Sequence, residues 1–167
     1  MPLPTITTPT YELELPITKK TVKYRPFLVK EEKVLVIAME SQDEKQIGRA
    51  VKDVLSSCIL SRGIKVDKLP TFEIEYLFLH VRGKSVGEQV EIMITCPDDG
   101  VTQVPSLVDI DEIKLDVDPD HEKDIVLDDN YTLRLKYPSS GQFIKSNFNE
   151  TDVSVEDTFE LVADCIE

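Results

Sequence analysis

At Gly87 the hydrophobic period of the chain changes, and this change limits the fold more than any other feature of the sequence. Upstream, Ile47, Ala50, Val51, Val54, Leu55, Cys58 and Ile59 recur at three-and-four spacing, which lines one face of an α-helix, and Gly63 is available as its C-terminal cap. Downstream, Val90, Ile92 and Ile94 alternate with Glu91, Met93 and Thr95, the period of a strand. A chain that separates helical from strand periods in this way belongs to the α+β class. The expectation is an N-terminal β-hairpin, a helical middle, antiparallel β-hairpins in the C-terminal half and a terminal amphipathic helix.

The other elements follow from the same reading. Tyr11, Leu13 and Leu15 alternate with acids, Pro16 to Lys20 supplies a turn, and Val22 and Tyr24 resume the alternation, so this stretch is a hairpin that Pro26 ends. Lys30 to Glu40 has acids in its first turn and apolar residues nearly all round its second half, which predicts a short buried helix. The segment after Pro70 fits both periods; Pro70 and Thr71 at its front favour a helix, with Gly83 at its end. Past Gly87, the expected second hairpin turns at Cys96 to Gly100 and returns from Val101 to Val104. Ile113, Leu115 and Val117 suggest a further strand, and Ile125 to Leu127 with Tyr131 to Tyr137 a further pair. From Ser154, Val155, Phe159, Val162 and Ile166 describe a helix.

A chain of 167 residues, 41% hydrophobic, suits one domain and buries roughly 70% of its unfolded surface. The organisation read from these patterns is an extended arm over 1–10, a single α+β domain over 11–145, and a linker with C-terminal helix over 146–167. That last helix stops in mid-pattern without a cap, as it would if it continued in a longer chain or packed on a partner. The formal net charge of −13 opposes binding to nucleic acid. Three cysteines, an odd number, and an N-terminus lacking signal-peptide features fit free thiols in a reducing cytosol. No apolar run approaches the roughly 20 residues of a membrane-spanning helix, so no membrane partner is expected.

Four patterns resemble chemical sites, and each fails on spacing. Thr95-Cys-Pro-Asp-Asp-Gly100 looks like half of a zinc knuckle, but Cys96 stands alone where zinc needs four ligands in close pairs. Its residues favour a turn between strands instead. Gly83-Lys84-Ser85 resembles the end of a phosphate-binding loop, yet Phe78 occupies the place of the leading glycine and a strand follows. Asp116, Asp118, Asp120 and Glu122 offer oxygens for calcium, but an EF-hand loop starting at Asp116 would need glycine at His121 and glutamate at Leu127. His80 and His121 are the two imidazoles, one in an apolar helical pattern and one in a charged loop, with no nucleophile motif beside either. No catalytic residue, metal or cofactor is expected. Between Asp109 and Asp129 ten acids face only Lys114 and Lys123, forming a solvated loop or an acidic face for a basic partner.

Partner binding has two candidate surfaces. Tyr24, Arg25 and Phe27 set two aromatics and an arginine side by side, a composition enriched at the energetic centres of interfaces. The same residues serve equally as sheet core and hydrophobic staple. Phe159, Val162 and Ile166 on the terminal helix are the second surface.

The stretches YRPFLVKEEK, CILSRGIKV with LPTF, EYLFLHVRGKSVGE and CPDDG resemble the baseplate hub assembly protein family of the T-even bacteriophages, over about Tyr11 to Phe143. This resemblance implies a late protein of the infected bacterial cytoplasm, needed to build the central hub of a contractile-tail baseplate. Its partners would be other hub and tail assembly proteins, and no enzymatic activity is implied. Members are regarded as assembly factors, with retention in the finished particle the alternative. From about Asn147 the resemblance fades.

Overall fold

The computed structural model describes residues 8–116, 118, 121–140 and 155–167. In chain order these form β1 (Tyr11–Glu14), β2 (Thr21–Tyr24), α1 (Val29–Glu40), α2 (Glu44–Cys58), a short 3-10 turn at Val66–Lys68 and α3 (Thr71–Val86). There follow β3 (Gln89–Thr95), β4 (Gln103–Asp109), a second 3-10 turn at Ile110–Glu112, β5 (Asp124–Val126), β6 (Thr132–Arg134) and α4 (Val155–Asp164). The chain is α+β, with an N-terminal hairpin, helices in the middle and hairpins after them. Among the described residues the strands make three separate antiparallel pairs, β1–β2, β3–β4 and β5–β6, and no larger sheet.

The core lies where the first hairpin meets α2 and α3. In β1–β2 Leu13 pairs with Val22 and Tyr11 with Tyr24, so their apolar residues share one face. Leu15, Val22, Leu55, Cys58, Leu77 and Val81 have no exposed surface, and Tyr24 has 2%. The helix α2 earns its place by the clean stripe that its spacing announces, and Asp43 caps it by accepting the backbone N–H of Lys45 at 2.9 Å. One buried carboxylate ties the layers together: Glu73 of α3 accepts the N–H groups of Ile17 and Thr18 at 3.0 and 2.7 Å, and the Thr18 hydroxyl at 3.1 Å. The turn of the first hairpin thus finds its hydrogen-bond partners on a helix distant in sequence.

Several expected boundaries move, each for a local reason. The helix α2 ends at Cys58 because Ile59 turns extended to bridge Tyr24, and Gly63, at φ +87°, serves the turn beyond instead of the cap. Helix α3 runs through Gly83 to Val86, with Gly87 as its cap at φ +138°. Gly83 lies beside the Ile110 side chain, whose nearest atom would be 3.6 Å from an added Cβ, an ordinary van der Waals contact, so space alone does not require a glycine there. The return strand β4 covers Gln103–Asp109, longer than expected and later in the chain. Ile113 and Leu115 form no strand, since the chain there leaves a 3-10 turn, and Val117 lies outside the described residues. Strands β5 and β6 are only three residues each; beyond them Leu135 still donates its N–H to Lys123 O at 2.9 Å, and it also bridges Ile166.

The largest correction concerns α1, expected as a buried helix. Only Glu31 and Ala38 are buried in it, while Val29, Val36, Ile37 and Met39 are 80, 49, 56 and 66% exposed. It packs on α2, and its apolar residues on the remaining sides face outward. Residues 1–7 of the expected arm and the whole of 141–154, with it the expected linker, fall outside the described residues, as does Asp120.

Candidate interaction surfaces

The junction between β2 and α1 is held by a network that the sequence Tyr24-Arg-Pro-Phe-Leu-Val-Lys-Glu-Glu32 encodes. Tyr24 is in the core, its ring 5.8 Å from that of Tyr11. Arg25 donates to the carbonyls of Pro26 and Ser57 at 2.9 and 3.1 Å and to Glu31 Oε1 at 3.0 Å. The other oxygen of Glu31 accepts the Leu28 N–H at 2.7 Å, which closes the first turn of α1 as a capping box does. Burial pushes the Glu31 pKa up, but the Arg25 guanidinium and the Leu28 N–H outweigh it and hold the carboxyl below its ordinary value. Phe27, half-buried against the core, donates its N–H to the Ser85 hydroxyl at 3.0 Å. Of the first predicted surface, then, Tyr24 and Arg25 face inward and Phe27 lies at the rim. What this junction presents to solvent is the apolar side of α1.

Phe159 and Val162 on α4, and Ile166 just beyond it, are 71, 52 and 43% exposed, and Val155 is 71% exposed. The helix is anchored by the residues after it. Lys136 donates its N–H to Cys165 O at 2.8 Å and Glu167 donates to Arg134 O at 2.9 Å, so a single antiparallel bridge between Leu135 and Ile166 ties the end of the chain to the end of β6. The two predicted surfaces are therefore fixed to different elements, one to α2 and α3 and the other to β6.

The second hairpin is the surface that sequence reasoning missed. Ile92, Met93 and Ile94 on β3 are 42, 56 and 47% exposed, and Val104 and Leu107 on β4 are 50 and 63% exposed. Its tip is the knuckle-like Thr95-Cys-Pro-Asp-Asp-Gly100. Asp99 accepts the N–H groups of Val101 and Thr102 at 3.0 and 2.9 Å and the Thr102 hydroxyl, while Gly100 sits at φ +66°. The Thr102 hydroxyl first, and the two N–H groups after it, lower the Asp99 pKa to about 2. This is turn chemistry. Burial was signalled by alternation; exposure was not, because alternation does not say whether a layer covers the face.

At the base of the hairpin, Gly83-Lys84-Ser85 closes α3. Lys84 pairs with Asp111 at 2.7 Å and with Glu88, and these hydrogen bonds, Asp111 first, raise its pKa. Beside it His80 is buried, with Nδ1 3.5 Å from Asp111. Burial lowers the His80 pKa, and Asp111 opposes the shift. His121 shares a groove of about 420 Å³ with Tyr137 and Cys165. Its Nε2 is 2.9 Å from the Tyr137 hydroxyl, and burial raises the Cys165 pKa, the opposite of what an activated thiol needs. Asp116, Asp118 and Glu122 are exposed. Among the described residues no three His, Cys, Asp or Glu side chains group as metal ligands, and no helix is long and apolar enough to cross a membrane.

What the described residues present to solvent is exposed apolar surface on α1, on β3–β4 and on α4, around a small core. The sequence model of the T4 bacteriophage base plate protein family matches residues 8–167, and the chain belongs to that family. It is a phage baseplate protein, a class whose members work in contact with other baseplate proteins. No curated protein and no solved structure matches the chain.

Proposed function

We propose that this chain is a non-enzymatic assembly factor for the central hub of a contractile-tail baseplate, acting by protein–protein binding in the infected bacterium. Membership of the baseplate family supports the setting. The observation that carries the binding role is the exposure of large apolar residues on three elements outside the core, a feature that marks interaction sites on soluble domains. In this reading Phe159, Val162 and Ile166 contact a partner directly, and Phe27 contributes at the rim of the α1 surface. Tyr24 and Arg25 serve that surface by fixing α1 in place.

The competing reading is a hub subunit retained in the tail, since the same apolar surface would be covered permanently there. Mass spectrometry of finished tails beside hub intermediates separates the two. An assembly factor is present in the intermediates and absent from finished tails; a structural subunit remains in both at fixed copy number. Absence from both overturns the hub role altogether.

A further inference from the structure

The β3–β4 hairpin identifies one kind of partner, an inference that rests on the binding role proposed above. Thr102 O accepts the Cys96 N–H at 2.7 Å at one end of the ribbon, and Glu88 O accepts the Ile110 N–H at 2.8 Å at the other. Both pairs continue the ladder in which Gln89 opposes Asp109 and Thr95 opposes Gln103. Direct partners in an antiparallel ladder alternate between pairs that bond to each other and pairs that do not. Val90–Val108, Ile92–Ser106 and Ile94–Val104 are therefore bonded inward. The backbone groups of Glu91, Met93 and Thr95 on β3, and of Gln103, Pro105 and Leu107 on β4, point away from the ribbon.

The two outer edges differ. On β4 the outward row is broken at Pro105, which has no N–H, a common device for blunting a free edge. On β3 the row of Glu91, Met93 and Thr95 is complete, and among the described residues no third strand pairs with it. The same register gathers Val90, Ile92, Ile94, Val104 and Val108 on one face. Charge selects what can fit. Seven acids and no base occur between residues 88 and 112, and Glu91 and Asp109 stand on the face opposite the aliphatic one.

We propose that the outer edge of β3 receives an extended strand of another protein, aliphatic on the Ile92–Ile94 side and carrying lysine or arginine on the Glu91 side. Backbone hydrogen bonds set the register of such an added strand, and alternate side chains give it specificity. A second copy of this chain is a poor occupant, because its own ribbon sets acids against acids and each chain carries a net charge of −13.

The test reads amide hydrogen exchange across the full chain with two short synthetic peptides, one alternating lysine with valine and one alternating glutamate with valine. The lysine peptide slows exchange at Glu91, Met93 and Thr95, and the glutamate peptide does not. Met93→Pro removes one outward N–H, leaves the inward ladder intact, and weakens the lysine peptide about ten-fold. Glu91→Lys, which keeps the strand, weakens it about two- to five-fold. Equal protection by both peptides, none by either, or protection confined to β4 overturns the inference. The same readout with hub intermediates purified from infected cells separates its failure from that of the binding role. Complex formation that leaves β3 unprotected overturns the added strand alone, whereas absence of any complex removes both.

Discussion

The two longest-paired hairpins of this protein obey the same sequence rule and have opposite fates. In β1–β2 the alternating apolar residues are sealed, with Val22 at 0% and Tyr24 at 2% exposure. In β3–β4 each strand is seven residues long instead of four, yet no residue of the ribbon is buried. The difference lies in what reaches each hairpin. Helices α2 and α3 lay Leu55, Cys58, Leu77 and Val81 against the first, and Glu73 grips its turn. The second leaves α3 at Gly87 and carries its own turn hydrogen bonds at Asp99, so it can hold its shape without a covering layer. Alternation makes a strand; a neighbour makes a core.

Leu77→Ala tests this contrast most severely. Leu77 is fully buried, so its truncation should cost about 2–5 kcal/mol in urea unfolding. Next in size, Glu73→Ala strands the N–H groups of Ile17 and Thr18 and should cost about 1–3 kcal/mol, visible in the same titration. Both effects belong to the first hairpin.

Changes in the second hairpin should stay local. The folded pKa of Asp99, about 2, lies below the ordinary carboxylate value of about 3.9. Its contribution is therefore complete above that ordinary value and is lost as pH falls through the folded one. Asp99→Ala should reproduce the acid effect at neutral pH: the amides of Val101 and Thr102 exchange faster by NMR, and the urea midpoint falls by less than it does in Glu73→Ala. Smallest of all, Ile94→Thr on the open face should move stability by no more than about 0.5 kcal/mol. If Ile94→Thr shifted the midpoint as far as Leu77→Ala, the ribbon would be part of the core and the contrast would fail.

The family motifs became physically legible only in the folded chain. In YRPFLVKEEK, Arg25 and Glu31 close the start of α1 through hydrogen bonds to Ser57 and Leu28. In HVRGKSVGE, Gly83 lies beside Ile110, Lys84 holds Glu88 and Asp111, and Ser85 receives the N–H of Phe27. These residues join segments far apart in sequence, and spacing alone shows only one side of each bond. The turn at Cys96 to Gly100 was readable because its partners are local, with Asp99 bonding two and three residues ahead. On the surface, the helix α4 side chains were legible from their period, while the open edge of β3 was not, since it depends on the register with β4 and on Pro105 falling at an outward position.

The sequence by itself determined the α+β class, the place of α2, the turn chemistry at Asp99 and the acidic balance, because each rests on local periodicity, local hydrogen bonding or composition. Only the tertiary structure decided which apolar faces are covered. The second half of α1 looked buried because it is apolar nearly all round, but burial is a relation between two surfaces, and α1 meets α2 with one of its own. The same holds for the ribbon, whose Ile92, Ile94 and Val104 stay largely exposed and whose β3 edge pairs with no third strand among the described residues.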